Sequence, residues 1–147
     1  MKKIIAGISV MVACMFILGG CTKNSNKNTT SYTLTASVNG TPFTANNCIA
    51  YMNSQMLTIN FSPPIPYPSI TIVIGNYTST GPYSLDTGSV VTEIVYYPTS
   101  VTADGKLGVS GSVTITSFST TSVSGTFHFV CADGTSITSG AFIGKTL

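Results

Sequence analysis

Arginine and tryptophan are absent, histidine occurs once, and charged side chains make up only 7% of the 147 residues. Each scarcity excludes something. A chain without arginine, whose six lysines stand against four acids, lacks the dense basic face that nucleic-acid phosphates require. One histidine with four scattered carboxylates makes no convincing zinc or iron site. No amphipathic helical period runs through residues 31–147, which argues against a helical architecture. The one long apolar run, Ile4 to Leu18, has fifteen residues, short of the ~20 that span a bilayer as a helix.

That run has a different reading. It follows the basic start Met1-Lys2-Lys3 and ends in small residues, the pattern of a secretory signal. Leu18-Gly19-Gly20-Cys21 matches the lipobox of bacterial lipoproteins. The thiol of Cys21 accepts a diacylglyceryl group, Gly19 and Gly20 let the extended backbone enter the signal peptidase, and cleavage between Gly20 and Cys21 frees an amine for a further acyl chain. Several acyl chains on one residue anchor stably where one is marginal. The expected organisation is a signal peptide over 1–20, a lipidated Cys and flexible tether over 21–30, and one domain over 31–147. The tether Thr22 to Thr30 has nothing to bury and reaches ~30 Å when extended.

Past Cys21, Lys23, Lys27, Lys106 and Lys145 balance Asp86, Glu93, Asp104 and Asp133, so the net charge is zero. Hydroxyls take the place of charge: 23 Thr and 18 Ser, a composition that suits pleated sheets. Cys48 and Cys131 remain as an even pair in an oxidising compartment. Either they bond, closing a loop that contributes ~4 kcal/mol if unstrained, or they are two separate buried thiols.

Period-2 alternation predicts strands over Tyr32–Val38, Asn47–Asn53, Met56–Ser62, Ile70–Ile74, Tyr83–Leu85, Val90–Tyr97, Val109–Ile115, Val123–Cys131 and Ser136–Ile143. Asn39-Gly40, Asp104-Gly105 and Asp133-Gly134 are turn signals. Pro63 to Pro68 forms a stiff loop or edge. Leu57, Ile59 and Phe61 should face the core, and Val109, Gly111, Val113 and Ile115 alternate in a later strand. Val90–Tyr97 is apolar on both faces and should be central or covered. The predicted fold is all-β: one antiparallel sandwich or flattened up-and-down barrel of about seven to nine strands.

Four phrases then carry a resemblance. Val38-Asn39-Gly40-Thr41-Pro42-Phe43, Gly81-Pro82-Tyr83-Ser84-Leu85, Gly125-Thr126-Phe127-His128-Phe129 and Gly140-Ala141-Phe142 follow a lipobox in this order. The chain resembles a family of small uncharacterised lipoproteins of the Bacteroidota. The resemblance implies a secreted β domain and no assigned activity. Without acidic residues just after Cys21, the periplasmic face of the outer membrane is favoured over the cell surface.

Catalytic motifs are thin. Asp86-Thr87-Gly88-Ser89 looks like the phrase of pepsin-like proteases, whose chemistry needs two carboxylates sharing a proton; a turn is the simpler reading. His128, between Phe127 and Phe129, should face solvent with no nucleophile beside it. Gly144-Lys145-Thr146 lacks Walker spacing. No enzyme and no cofactor is expected. Tyr67, Tyr77, Tyr83, Tyr96 and Tyr97 are candidate binding aromatics at one end of the domain, for a glycan or an envelope protein. The first expectation is a ligand- or partner-binding lipoprotein. The second is a structural or adhesion component that assembles by strand addition.

Overall fold

The computed structural model describes residues 31–62, 67–85 and 92–147. The expected signal peptide, the expected lipidation site Cys21 and the expected tether therefore lie outside the described residues. So do Pro63–Pro66, Asp86–Ser89 and the first two residues of the expected 90–97 strand.

Ten strands are present among the described residues: β1 (Thr33–Val38), β2 (Thr41–Ala45), β3 (Asn47–Asn53), β4 (Met56–Ser62), β5 (Ser69–Ile74), β6 (Gly81–Ser84), β7 (Thr92–Tyr97), β8 (Lys106–Phe118), β9 (Ser122–Cys131) and β10 (Ser136–Thr146). Seven of them, in the order β10-β3-β4-β5-β7-β8-β9 and back to β10, close a barrel. The β1–β2 hairpin extends from β10, and β6 extends from β8. The result has sandwich-like layers: four strands, β3-β4-β5-β7, face six, β2-β1-β10-β9-β8-β6. The layers join at two narrow seams, Val95–Leu107 with Tyr96–Lys106, and Lys145–Ile49 with Thr146–Ala50.

The all-β fold stands, with two corrections. β2 was not foreseen as a strand, because Pro42 interrupts the alternation; β2 tolerates it as an edge strand. The β10–β3 seam is parallel, whereas antiparallel pairing was expected throughout. The reason is topological: strands of alternating direction cannot close a ring of odd number, so a seven-stranded ring contains a parallel contact. Following paired residues from Lys145 round the ring leads back to β10 near Thr135, a stagger of about ten residues that tilts the strands steeply.

The inward residues are those of the period-2 pattern. Leu57, Ile59, Phe61, Ile70, Ile72 and Ile74 are fully or almost fully buried. Val123, Phe127, Phe129 and Cys131 line up from β9. In β7, Ile94 and Tyr96 point inward; Val95 on the opposite face is also covered, but Glu93 is exposed. Phe61 reaches across from the four-stranded layer to Phe142 (ring centroids 5.3 Å apart) and Phe127 (6.3 Å).

That cluster fits because of glycines. Gly140 lies opposite Phe127, and Gly125 opposite Phe142, as reciprocal pairs across β9 and β10. A Cβ on Gly140 would come within 2.6 Å of both the Phe127 ring and its carbonyl oxygen. A Cβ on Gly125 would meet the Thr114 carbonyl at 2.3 Å and the Phe142 ring at 2.8 Å. The late Gly-Thr-Phe-x-Phe and Gly-Ala-Phe phrases are thus two halves of one packing unit.

Val109 corrects another expectation. It was read in one alternating set with Val113 and Ile115, but those two are buried and Val109 is 52% exposed. The register between β8 and β9 shifts between Gly108 and Ser110, and again between Ile115 and Ser117. Each extra residue flips the following side chains, so the inward positions run Gly108, then Val113 and Ile115, then Phe118.

Cys48 and Cys131 are both buried and not bonded to each other, which corrects the bonded alternative. Cys131 N donates to the Thr135 carbonyl at 2.8 Å, and Cys48 Sγ packs where a Gly144 Cβ would be 2.5 Å away. Eight residues of β10 separate Thr135 from Gly144, about 30 Å of strand. Two cross-strand steps of about 5 Å leave the cysteines farther apart than the ~7 Å between Cα atoms that a disulfide bridges.

Gly140→Ala should lower stability by about 2–3 kcal/mol through overpacking, while Ala141→Ser, one residue on and facing solvent, should stay within about 0.5 kcal/mol of the parent. Urea denaturation distinguishes them; equal midpoints would refute the glycine–phenylalanine packing. Burial raises the Cys48 thiol to about 12 and the Cys131 thiol to about 11. A thiol reagent at pH 8 should therefore spare both in the folded chain and label both in guanidinium without prior reduction. Labelling that required a reductant would restore the disulfide.

Candidate functional site

At the end of β1 the chain turns sharply through Asn39 and Gly40, both with positive φ (49° and 81°), as a two-residue hairpin of type I′ demands. The turn is tied to a distant segment. Asn39 N donates to the Ser136 carbonyl at 2.8 Å, and Ser136 N donates to Asn39 Oδ1 at 2.8 Å. This clamp fixes the β1–β2 hairpin to the start of β10 and holds Phe43 and Pro42 over the barrel mouth.

A cleft of about 340 Å³ opens there, lined by Val38, Asn39, Thr41, Pro42, Phe43, Pro68 and Tyr96. One wall belongs to the hairpin, the other to the β5–β7 side. Its accessible lining is polar and apolar in about equal parts, with Asn39, Thr41 and Pro42 at the rim and the largely buried Phe43 and Tyr96 below. Burial pushes the Tyr96 phenol above its ordinary value, so it is a neutral donor at physiological pH.

Beside Tyr96, and paired with it across the strands, is Lys106. Its Nζ sits 2.7 Å from Asp133 Oδ2 and donates to Thr135 Oγ1 at 3.0 Å. Asp133 Oδ1 accepts from Thr135 N at 3.0 Å, and Oδ2 accepts from the Thr135 hydroxyl at 3.0 Å. The network staples β8 to the β9–β10 turn across the mouth. The Lys106 hydrogen bond, then those of Thr135, lower the Asp133 carboxyl to about 2; the same bond raises Lys106. Beneath it, Cys131 Sγ donates to the Lys106 carbonyl at 3.5 Å.

The five tyrosines do not share one surface. Ser69 pairs with Tyr97 at the mouth end of β5, so Tyr67, Tyr96 and Tyr97 belong to that end. Tyr77 follows the other end of β5 and packs against Tyr83 (5.7 Å) and Phe118 (5.3 Å). Both Tyr77 and Tyr83 are only 9% exposed, and the Tyr83 hydroxyl donates to the Ser79 carbonyl. They cap the core. Tyr97 is half-buried, and a Cβ on Gly105 would come within 2.7 Å of its ring. Of the five, only Tyr96 lines the cleft.

Asn39, Pro42 and Phe43 carry the site yet were read only as a turn phrase; Lys106 and Asp133 were read as a lone charge and a turn residue. Their joint role depends on pairings 97 and 29 residues apart, between Asn39 and Ser136 and between Lys106 and Thr135, which no local pattern announces. His128 is exposed on the outside of β9. Among the described residues no group of three His, Cys, Asp or Glu side chains converges.

A family profile described as a domain of unknown function, DUF6252, matches residues 28–144. No curated protein and no solved structure matches the chain.

The Asp133 carboxyl should titrate by NMR with a midpoint near 2. Lys106→Met should return it towards its ordinary value of 3.8. Because the folded-state value is depressed, its contribution to stability is present above the unfolded value and is lost as pH falls towards 2. An unchanged midpoint in the variant would show that Lys106 does not hold the carboxylate.

Proposed function

The chain belongs to the DUF6252 family, a domain of unknown function, and from that premise we propose that it is an envelope lipoprotein, acylated at Cys21, whose β domain binds a partner protein at the barrel mouth. The observation that carries this reading is the direction of β1. The strand runs from Thr33 to Val38, about 17 Å, away from the residues that follow Cys21 and towards the Asn39–Gly40 turn. A domain tethered through residues 21–30 would therefore hold its cleft outward from the membrane. The outer membrane is the proposed site, with the periplasmic face favoured over the cell surface.

The cleft presents the exposed Pro42 and the half-buried Val38 and Pro68 to an apolar side chain, over a floor closed by the buried Phe43 and Tyr96, and a small apolar pocket is a frequent anchor point of protein contacts. The reading is non-enzymatic: the single histidine sits on the outside of β9, not in the mouth. Assembly by strand addition is the weaker alternative. The two edges of the six-stranded layer, β2 and β6, each carry a proline, Pro42 and Pro82, which withholds an N–H from any added strand.

In the native host, mass spectrometry should find a mature N-terminus at Cys21 carrying acyl chains. Cys21→Ala should leave the membrane fraction without them, and a bare Cys21 would end the lipoprotein reading. A photo-crosslinking residue at Thr41 should trap an envelope protein, while one at Met56, on the far hairpin, should not. Adducts from Met56 alone would sink the mouth as the contact site.

A further inference from the structure

The exposed large apolar side chains among the described residues fall into two groups. Val101, Leu107, Val109 and Val130 lie towards the mouth, around the β7–β8 seam and the end of β9. Tyr51, Met56, Ile143 and Leu147 lie at the other end, where β10, β3 and β4 run side by side. Each residue of this second group is 40–70% exposed.

The second group forms one continuous edge. Lys145 pairs with Ile49 and Thr146 with Ala50 in parallel register, and Leu147 N donates to the Ala50 carbonyl at 2.9 Å. The register sets Leu147 beside Tyr51, and alternation along β10 puts Ile143, Lys145 and Leu147 on its outer face. Tyr51 pairs with Thr58 and Asn53 with Met56, so Met56 is the diagonal neighbour of Tyr51 on the outer wall. The turn between them, Asn53, Ser54 and Gln55, is exposed and uncharged. Among the described residues Lys145 is the one charged side chain on this edge. The acid that shares a row with Tyr51, through Thr58 and Val73, is Glu93, three strands away at about 15 Å.

What adjoins this edge selects its partner. Thr33, the first residue of β1, pairs with Ile143, so the chain that precedes β1 joins the domain here, and residues 21–30 reach at most ~35 Å. We infer that this edge rests in the interface of the membrane that holds the Cys21 acyl chains, with Tyr51, Met56, Ile143 and Leu147 at the level of the upper acyl groups and the Lys145 ammonium among the headgroup phosphates. The inference rests on the lipoprotein reading and adds a contact made by the folded domain to the covalent one. Tyrosine suits a membrane interface because its ring is apolar and its hydroxyl polar, and lysine holds its charge out from an apolar stem. A patch of a few side chains binds a bilayer weakly from free solution, but a short tether keeps it at high effective concentration. Exposed apolar surface rimmed by polar groups serves protein or membrane contacts; the place where the tether enters favours the membrane, and it carries the Val101–Val130 group away from it.

The sequence has no tryptophan, so one substitution installs a single reporter. Acylated protein from the native host, carrying Tyr51→Trp or Met56→Trp, would be reconstituted into vesicles of phosphatidylglycerol and brominated phosphatidylcholine. Each reporter should lose at least about half of its emission relative to unbrominated vesicles, as an aromatic at interfacial depth does. Val101→Trp, exposed at the opposite end, should lose none. Ile143→Asp should restore most of the emission of the Tyr51→Trp chain. Mass spectrometry of the same sample reads Cys21: absence of acyl chains would end the inference together with the lipoprotein reading. Acyl chains present with both edge reporters unquenched, or with Val101→Trp quenched equally, would overturn the membrane contact alone. Unquenched reporters in a particle of doubled mass would give the edge to a second copy instead.

Discussion

The reciprocal pairing of Gly125 with Phe142 and of Gly140 with Phe127 is the constraint on which the rest of the barrel depends. Two phenylalanines on adjacent strands would ordinarily compete for the same interior. Placing a glycine opposite each lets both rings lie over the neighbouring backbone and meet Phe61 from the opposite layer. Each buried phenylalanine side chain contributes about 2–3 kcal/mol relative to exposure, and this requires the glycines to have no Cβ. Gly144 extends the device by leaving room for Cys48, where β10 reaches β3 and the ring closes.

From that packing the shape of the two ends follows. β10 pairs along one edge with β9, while its other edge passes from β1 to β3. β8 likewise passes from β7 to β6. A strand that changes partner midway must twist and shed register, and the bulges in β8 and β10 do this. The bulge in β10 turns Gly140 inward and Ala141 outward, so one irregularity both admits Phe127 to the core and sets the outer face of β10. The hydrogen bonds of Asn39 and the Lys106–Asp133–Thr135 network then tie together the segments that meet at the mouth.

Much of this was legible in the residues. Nine of the ten strands were visible as alternation, and the inward faces of β4, β5 and β9 follow from Leu57, Ile70 and Phe127 with their i+2 neighbours. The face of β8 was misread at Val109 because a bulge is a property of a pair of strands, and neither sequence alone marks the extra residue. β2 was hidden because its only assets are Pro42 and Phe43 in a five-residue edge. The tyrosines misled for a related reason: proximity to loops is local, but whether a loop covers the core or opens a cleft depends on the far strand. Tyr77 and Tyr83 found Phe118 beneath them, and Tyr96, equally buried, forms the floor of the cleft beside the β1–β2 hairpin.

Scarcity of charge has a consequence for how the edges and faces of such a sheet are protected. Surfaces usually rely on interspersed lysine and glutamate to discourage edge pairing. In this chain prolines in β2 and β6 guard the two edges of the six-stranded layer, and hydroxyls cover most of its outer face. Lys145 of β10 is exposed on that face, while Lys106 and Asp133 are committed to each other at the mouth. With so few charges the surface exerts little field at a distance, so what distinguishes one part of it from another is shape, and that shape is set at the mouth by the hydrogen bonds of Asn39 with Ser136 and on the outer face by the bulge at Ser139.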